Sequence, residues 1–569
     1  YQIAAMPGGL FPDEAANGLD INSMQQGDLQ PFYERGNGRE ALFFYMLWGS
    51  VEAFGKGPWQ HHIISAGVGV LAVLGCFLVT RKLFEIFPLR RRRVRNEYGD
   101  GTDNGDNAKL AANNNLNSTG IGEDIDNIAR GSDIAFLASF FMAVSSWHVV
   151  LSRTAFRANL IPLFTAFTFY FGLLAFNAQT RGKRYFWSLV TGATFALGFY
   201  SYIAYRIMVP LIAIAILWPL LNDLWQTPRF QSLKKYFGSF VALCAAFAAF
   251  FAPLGYYFYT HPGSFVGRSG QVSIFNPELN QGNLIGTVIA VFTKSIDAYF
   301  WNGDLNWRHN ISGEPFLSII ISPFFAIGLV GVTLLAIRYI FTPIKNKLDW
   351  KYFLLAGWFW AMLIPVVTTA EGIPHGLRAI GTIPVVFIMS TVGLIWVMGL
   401  ASNIVKKFWP YLSETQHKVL NFAFATKTVV FIAALILQTY FLYFIYAANS
   451  PENFFAFRSD LTPVSEYLKV EGDKTNTYLI LDKFSVQTVD YFTSIDAANP
   501  GNPKNQPYTQ VDPEDSWKLT GLQPGDKLVF TQSSIFDIKK FKQYHPEAKL
   551  ILEQRNRFNQ TVMAIYVIQ

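Results

Sequence analysis

Ten stretches of this chain come close to the roughly 20 apolar residues that a helix needs to cross bilayer hydrocarbon, and they restrict its fold more than any other feature. They lie near 59–82, 133–152, 158–179, 184–203, 206–224, 234–259, 315–341, 350–369, 374–400 and 426–448. No water pairs with a stray N–H or C=O inside hydrocarbon, so segments of this length satisfy their backbone as α-helices packed in a bundle. The expected fold class is an all-α polytopic membrane protein of about ten spans. Composition agrees, with 51% hydrophobic and 15% charged residues against about 25% charged in a soluble domain. Cys76 and Cys244 both sit inside apolar runs and give no disulfide framework. The net charge of +7 comes from basic residues crowded beside the spans. There it bears on topology, and no nucleic-acid partner is expected.

Cytoplasmic loops hold the excess of Lys and Arg. RKLFEIFPLRRRRVR (81–95), RGKR (181–184), PRFQSLKK (228–235), RYIFTPIKNK (338–347) and IVKKFW (404–409) fall in alternate connections and mark one face as cytoplasmic. The connections 1–58, 260–314 and 368–378 then face outward, as does the polar tail. An outward first segment with no leader and no span ahead of it leads us to expect a further helix upstream of this sequence. Three parts result: a first extracytoplasmic loop (1–58), a transmembrane domain (59–448) and an extracytoplasmic α/β domain (449–569). The expected location is the cytoplasmic (plasma) membrane, crossed several times.

Residues 96–132 are rich in Asn, Gly and Asp and read as a flexible cytoplasmic insertion. The outer loop 260–314 combines helical apolar periodicity with Trp301, Trp307, Arg308 and His309, which predicts an interfacial amphipathic helix followed by an ordered polar turn. Residues 39–54 read as a second interfacial helix. In the tail, strand-like runs at 477–482, 527–532, 548–554 and 562–568 alternate with a helical one at 533–544, the pattern of a small α/β domain. It carries no phosphate loop and no nucleophile motif, so a binding, lid or scaffolding role is expected of it.

Ionisable groups at membrane spans are costly and point to function unless they only snorkel from an end. Here they gather at outward ends. Asp13 and Glu14 lie in FPDEAANGLD (11–20), with Arg39 and Glu40 in the same loop. His148, Arg153 and Arg157 lie in SSWHVVLSRTAFR (145–157), Tyr200, Tyr202 and Arg206 in YSYIAYR (200–206), and Glu371, His375 and Arg378 in EGIPHGLRAIG (371–381). Taken singly, such an Arg or His reads as a headgroup contact or a helix cap. Taken together they run against the depletion of Arg on an outer face. Arg153 and Arg157, four apart, share a face if one helix carries both. Arginine recognises phosphate through its planar fork of donors, and a phosphate borne on a lipid arrives at this level of the bilayer. A carboxylate beside it can deprotonate an acceptor hydroxyl while cations stabilise the departing phosphate. The reaction expected of such a set is sugar transfer from a lipid phosphate, with membrane lipids as the surroundings.

At these residues the sequence resembles the polytopic glycosyltransferases of the GT-C fold, in the group of protein O-mannosyltransferases and bacterial aminoarabinose transferases of lipid A. The resemblance is carried by the Asp13–Glu14 pair, NGREALFFY (37–45), SSWHVVLSR (145–153), YSYIAYR (200–206), GDLNWRHN (303–310) and PHGLRAIG (374–381). It spans 1–400, and the tail adds nothing to it. It implies inverting transfer from a polyprenyl-phosphate sugar, with Asp13 as general base and Glu14 positioning acceptor or base. Arg39 and Glu40 fall where the group has a polar pair near the donor phosphate. Where the aminoarabinose enzymes are Lys-rich, this chain has Tyr202 and Arg206, which leaves the donor sugar open. Arg308, His309, His375 and Arg378 complete the expected substrate-binding set. No cofactor is assigned; a divalent metal on His309 and His375 is possible, but hydrogen bonding is the simpler role for histidines without a further close ligand.

Two other functions fit part of the pattern. A transporter of lipid-linked sugars calls for ionisable residues at the membrane midplane, and 158–179 and 315–337 have none. An inactive relative serving as a subunit of a larger complex is compatible with the sequence, although the intact acidic pair argues against lost chemistry.

Overall fold

The computed structural model describes residues 2–36, 38–89, 130–226, 231–265, 272–342, 347–472, 476–493 and 507–569. Helix α1 (Pro12–Gln25), the antiparallel ribbon β1 (Phe32–Tyr33)–β2 (Arg39–Glu40) and α2 (Leu42–Phe54) precede the first long helix, α3 (Pro58–Ile86). The principal helices that follow are α4 (Gly131–Ala143), α5 (Ser146–Arg153), α6 (Leu160–Phe176), α7 (Arg181–Gly198), α8 (Met208–Gln226), α9 (Gln231–Thr260), α10 (Leu284–Asp297), α11 (Ser322–Phe341), α12 (Trp350–Val367), α13 (Ile383–Phe408) and α14 (Glu414–Tyr440). All but the last three residues of the insertion expected at 96–132 lie outside the described residues; those three sit at the start of α4.

Among the described residues seven helices are long and apolar enough to cross a membrane, and there are eight if α4 and α5, bent by 63° at their junction, count as one broken span. About ten were expected from the apolar runs. The two that fall short are α7 and α8. The apolar window 184–203 does not stay helical to its end, because α7 stops at Gly198 and the chain turns at 199–202 into a short 3₁₀ segment, Ile203–Ile207. The basic start of α7, with Arg181, Lys183 and Arg184, shortens its apolar part further. Both helices remain in the bundle, α7 packing against α6 and α9, and α8 against α12.

Lipid tails are as apolar as leucine, so close backbone approach rather than the hydrophobic effect decides where helices meet in a bilayer. Helices α11 and α13 meet in this way: a Cβ on Gly328 would collide with the Met389 carbonyl, and one on Gly393 with that of Phe324. Toward the site the core turns aromatic. The Trp147 ring stacks on Phe316 at 4.3 Å and meets Tyr299 edge-on, and Trp358 Nε1 donates to the Gly381 carbonyl at 3.0 Å. Amphipathic α10 exposes Ile285, Ile289 and Phe292 along one stripe and buries Val291 and Ser295, the form expected of an interfacial helix.

The tail contains α15 (Leu461–Glu471), β3 (Thr477–Ile480), α16 (Val486–Thr493), β4 (Thr509–Val511), β5 (Lys527–Thr531), α17 (Ile538–Tyr544), β6 (Ala548–Arg555) and β7 (Thr561–Ile568). Its sheet runs β4-β3-β5-β7-β6, parallel from β4 to β5 and antiparallel through β7 and β6. This is the small α/β domain expected, with β4 added beyond the four runs read from sequence.

Candidate functional site

The acidic pair opens α1, where Pro12 occupies the first turn and two carboxylates face the positive end of the helix dipole. The two side chains part company. Glu14 is fully buried: its Oε2 accepts from Phe11 N at 3.0 Å, its Oε1 from Ala155 N at 2.6 Å, and His62 Nε2 lies 3.3 Å from Oε1. Burial alone would raise this carboxyl, but His62 and the two backbone donors outweigh it and hold the pKa below the ordinary value. Asp13 is exposed, and its charge acts on Arg308 and on Arg39.

The face of α1 toward β2 is filled by Arg39. Its guanidinium donates to Asn17 Oδ1 at 2.8 Å, pairs with Asp20, and reaches the Arg35 carbonyl at 3.0 Å. Burial lowers its pKa to about 10, against the pull of Asp20. Beside it Glu40 gathers two cations, Arg157 Nε at 3.2 Å and Arg206 Nη2 at 3.7 Å. Arg157 also lies over the Tyr202 ring, and Arg206 over Phe265. Glu40, Arg157, Tyr202 and Arg206, expected from three separate segments, therefore form one group.

The turn after α10 builds a third group. Asp304 Oδ2 accepts from Gly376 N at 2.7 Å and lies 3.1 Å from His309 Nδ1, and the His309 ring stacks on His375 at 4.5 Å. Burial depresses the His309 pKa, with Asp304 opposing. Arg378 follows His375, donating to Thr369 Oγ1 at 3.0 Å and to the Glu371 carbonyl at 2.6 Å. Arg308 lies over the Phe11 ring at 3.5 Å; burial lowers its pKa, while Asp13, Glu14 and Asp304 raise it. It joins the third group to the acidic pair. An apolar cleft of about 300 Å³ is lined by Tyr202, Ile207, Ile364, Pro365, Thr369 and Arg378.

Two expected residues serve elsewhere in the same end of the bundle. Arg153 donates through Nη2 to the Met6 carbonyl at 2.7 Å and through Nε to Tyr443 OH at 3.2 Å. His148 is buried beside Ser152 Oγ at 3.4 Å. The shared helical face expected of Arg153 and Arg157 is not found. Helix α5 stops at Arg153, and the chain is extended at Thr154 and Phe156 before turning again. Asn159 Nδ2 holds this break through the Leu151 and Thr154 carbonyls, and Glu14 holds it through Ala155 N.

Sequence reasoning missed His62, Asp20 and Asp304. For His62, and for His61 before it, a signal existed in the adjacent histidines inside the first apolar span. Asp304 stood in the quoted GDLNWRHN without being singled out.

No family model matches the sequence, and no curated protein matches it either. Among solved structures the chain is similar to ArnT from Cupriavidus metallidurans bound to undecaprenyl phosphate, with a TM-score of 0.54 at 12% identity over 99% of this chain and 95% of that one. Weaker likenesses are to the same protein in the apo state, at TM-score 0.47, and to the Archaeoglobus fulgidus oligosaccharyltransferase in the apo form, at 0.43 over 71% of that chain. The first of these establishes the fold, and it is the GT-C fold expected from the sequence.

Proposed function

We propose that the chain is an inverting glycosyltransferase that moves a sugar from a polyprenyl-phosphate donor to an acceptor hydroxyl at the extracytoplasmic face. The observation that carries this reading is the division within the acidic pair. Glu14 is locked by two backbone donors and His62, whereas Asp13 stands exposed at the head of the same helix, in the field of Arg308 and Arg39. Asp13 takes the hydroxyl proton as the acceptor oxygen attacks the anomeric carbon. The bond from that carbon to the phosphate oxygen breaks on the opposite side, so the configuration inverts and polyprenyl phosphate leaves. The cleft, apolar along Ile207, Ile364 and Pro365 and with Thr369 and Arg378 also in its lining, suits a prenyl chain whose phosphate meets the polar residues. In the same reading Arg206 and Arg308 meet the charge that grows on the leaving phosphate. The fold's likeness to a protein seen with undecaprenyl phosphate supports the choice of donor class.

The test is transfer from polyprenyl-phosphate sugars by protein in liposomes. Asp13→Asn is expected to lower kcat by about 10²–10⁴-fold, the usual contribution of a general base. An unchanged rate removes Asp13 from the mechanism.

A further inference from the structure

Asp304, His309 and His375 come together from two loops far apart in sequence, and they can present one ligand atom each, all within 4.8 Å of one another. We propose that these three side chains hold a divalent transition-metal ion of the zinc class. Two imidazoles and one carboxylate are the protein set of zinc sites that keep a coordination position free for water or substrate. Imidazole ligation favours zinc, iron or nickel over magnesium, which demands oxygen.

The surroundings are those of a built site. Asp304 and His309 are both more than nine-tenths buried. The carboxylate is fixed at one oxygen by Gly376 N and at the other by Asn306 N at 2.8 Å, so its direction is set before any ion arrives. A Cβ on Gly376 would come 2.9 Å from the His309 carbonyl and 3.2 Å from Trp147 Nε1; only glycine lets the two loops approach closely enough to bring His375 over His309. Arg378 N lies 3.4 Å from His375 Nδ1, so one proposed ligand is bonded to the backbone of the residue whose guanidinium helps line the apolar cleft. An anion drawn to that arginine can complete the coordination sphere. The ion-binding claim stands without the glycosyl-transfer reading.

The experiment uses the full chain in detergent, stripped with a chelator and dialysed against Zn²⁺ or Mg²⁺, with bound metal measured by elemental analysis. One Zn²⁺ per chain is expected, undisturbed by excess Mg²⁺. His375→Ala and Asp304→Asn are each expected to weaken Zn²⁺ binding by more than about tenfold, the lower end of what even an outer-shell change costs. Co²⁺ bound by the unmutated chain is expected to give the visible absorption of low-coordinate nitrogen and oxygen ligation, a readout independent of how the variants fold. A wild-type chain that binds no Zn²⁺, or a His309→Ala/His375→Ala double variant that keeps it at full affinity, overturns the proposal. Neither measurement involves sugar transfer, so loss of the function proposed above and loss of this site are separately visible.

Discussion

Glu14 and Asp13 are neighbours in sequence with opposite surroundings, and their substitutions separate stability from chemistry. Glu14 is a buried carboxylate whose partners outweigh desolvation, so its folded pKa lies below 4.5. A depressed carboxylate stabilises the fold fully above its unfolded value and loses that contribution as pH falls through the folded one. The wild-type Tm is accordingly expected to fall as the pH drops below about 4.5, in part through Glu14. Glu14→Gln does not ionise, and it loses about 1.5–3 kcal/mol at neutral pH, the worth of hydrogen bonds to a charged group. Its Tm is therefore lower at pH 7 and declines less between pH 5 and 3. Scanning fluorimetry of the two proteins across that window checks both points, and equal acid slopes contradict the assignment. Asp13→Asn, at an exposed position, is expected to stay within about 0.5 kcal/mol of wild type while transfer is lost. The resemblance assigned the two carboxylates different roles, but nothing in the sequence showed that Glu14 is buried and Asp13 exposed. The partners that bury Glu14, Ala155 and His62, come from other elements of the chain.

Helices were legible wherever apolar length alone decides the fold, and less so where contacts from elsewhere decide it. The runs that became α3, α9, α11 and α13 could be read directly, because the bilayer leaves such segments no alternative. The end of α5 at Arg153 could not. It depends on a carboxylate from α1 and on the Asn159 amide, which compete with continued helical pairing after Leu151. Strand β4 is three residues long and has no buried alternation to betray it, and it forms by pairing with β3. At the candidate site the outward clustering of Arg and His was visible. The pairing of Asp304 with His309 and His375 was not, since it requires the turn after α10 to meet the segment before α13. The α11–α13 contact gives a test at this scale. Gly328→Leu places side-chain atoms where the Met389 carbonyl lies and is expected to destabilise the bundle by about 1–3 kcal/mol, the usual cost of overpacking. Because the contact lies away from the acidic pair, the fraction that remains folded is expected to keep its turnover. Thermal unfolding and activity per folded molecule measure the two effects separately.

Across the whole molecule the tail domain and the membrane bundle meet at α1. Tyr491 of α16 is buried against Gly18, where a Cβ would run into its ring, and its hydroxyl meets His61 Nε2 at 3.0 Å. Thr488 Oγ1 donates to the Leu10 carbonyl at 3.1 Å, and Phe484 meets Phe11 edge-on at 5.6 Å. Phe11 in turn lies beneath the Arg308 guanidinium. The tail thus braces both sides of the acidic pair, the segment just before it and the outer face of the helix that carries it. A positioning role for the tail is the prediction that these contacts motivate, in line with the absence of a phosphate loop or nucleophile motif from its sequence. Tyr491→Ala removes the brace and leaves the cleft from Tyr202 to Arg378 intact, so the donor KM is expected to change less than about twofold. Misplacing a reacting group by about 1 Å can cost about 100-fold, and kcat is expected to fall toward that value. Tyr491→Phe keeps the ring against Gly18 and loses the bond to His61, roughly 1 kcal/mol of stability, and its turnover is expected to stay near wild type. Steady-state transfer by the two variants, with donor concentration varied, distinguishes bracing from a merely adjacent domain. A Tyr491→Ala protein with undiminished kcat means that α1 holds its acidic pair without the tail.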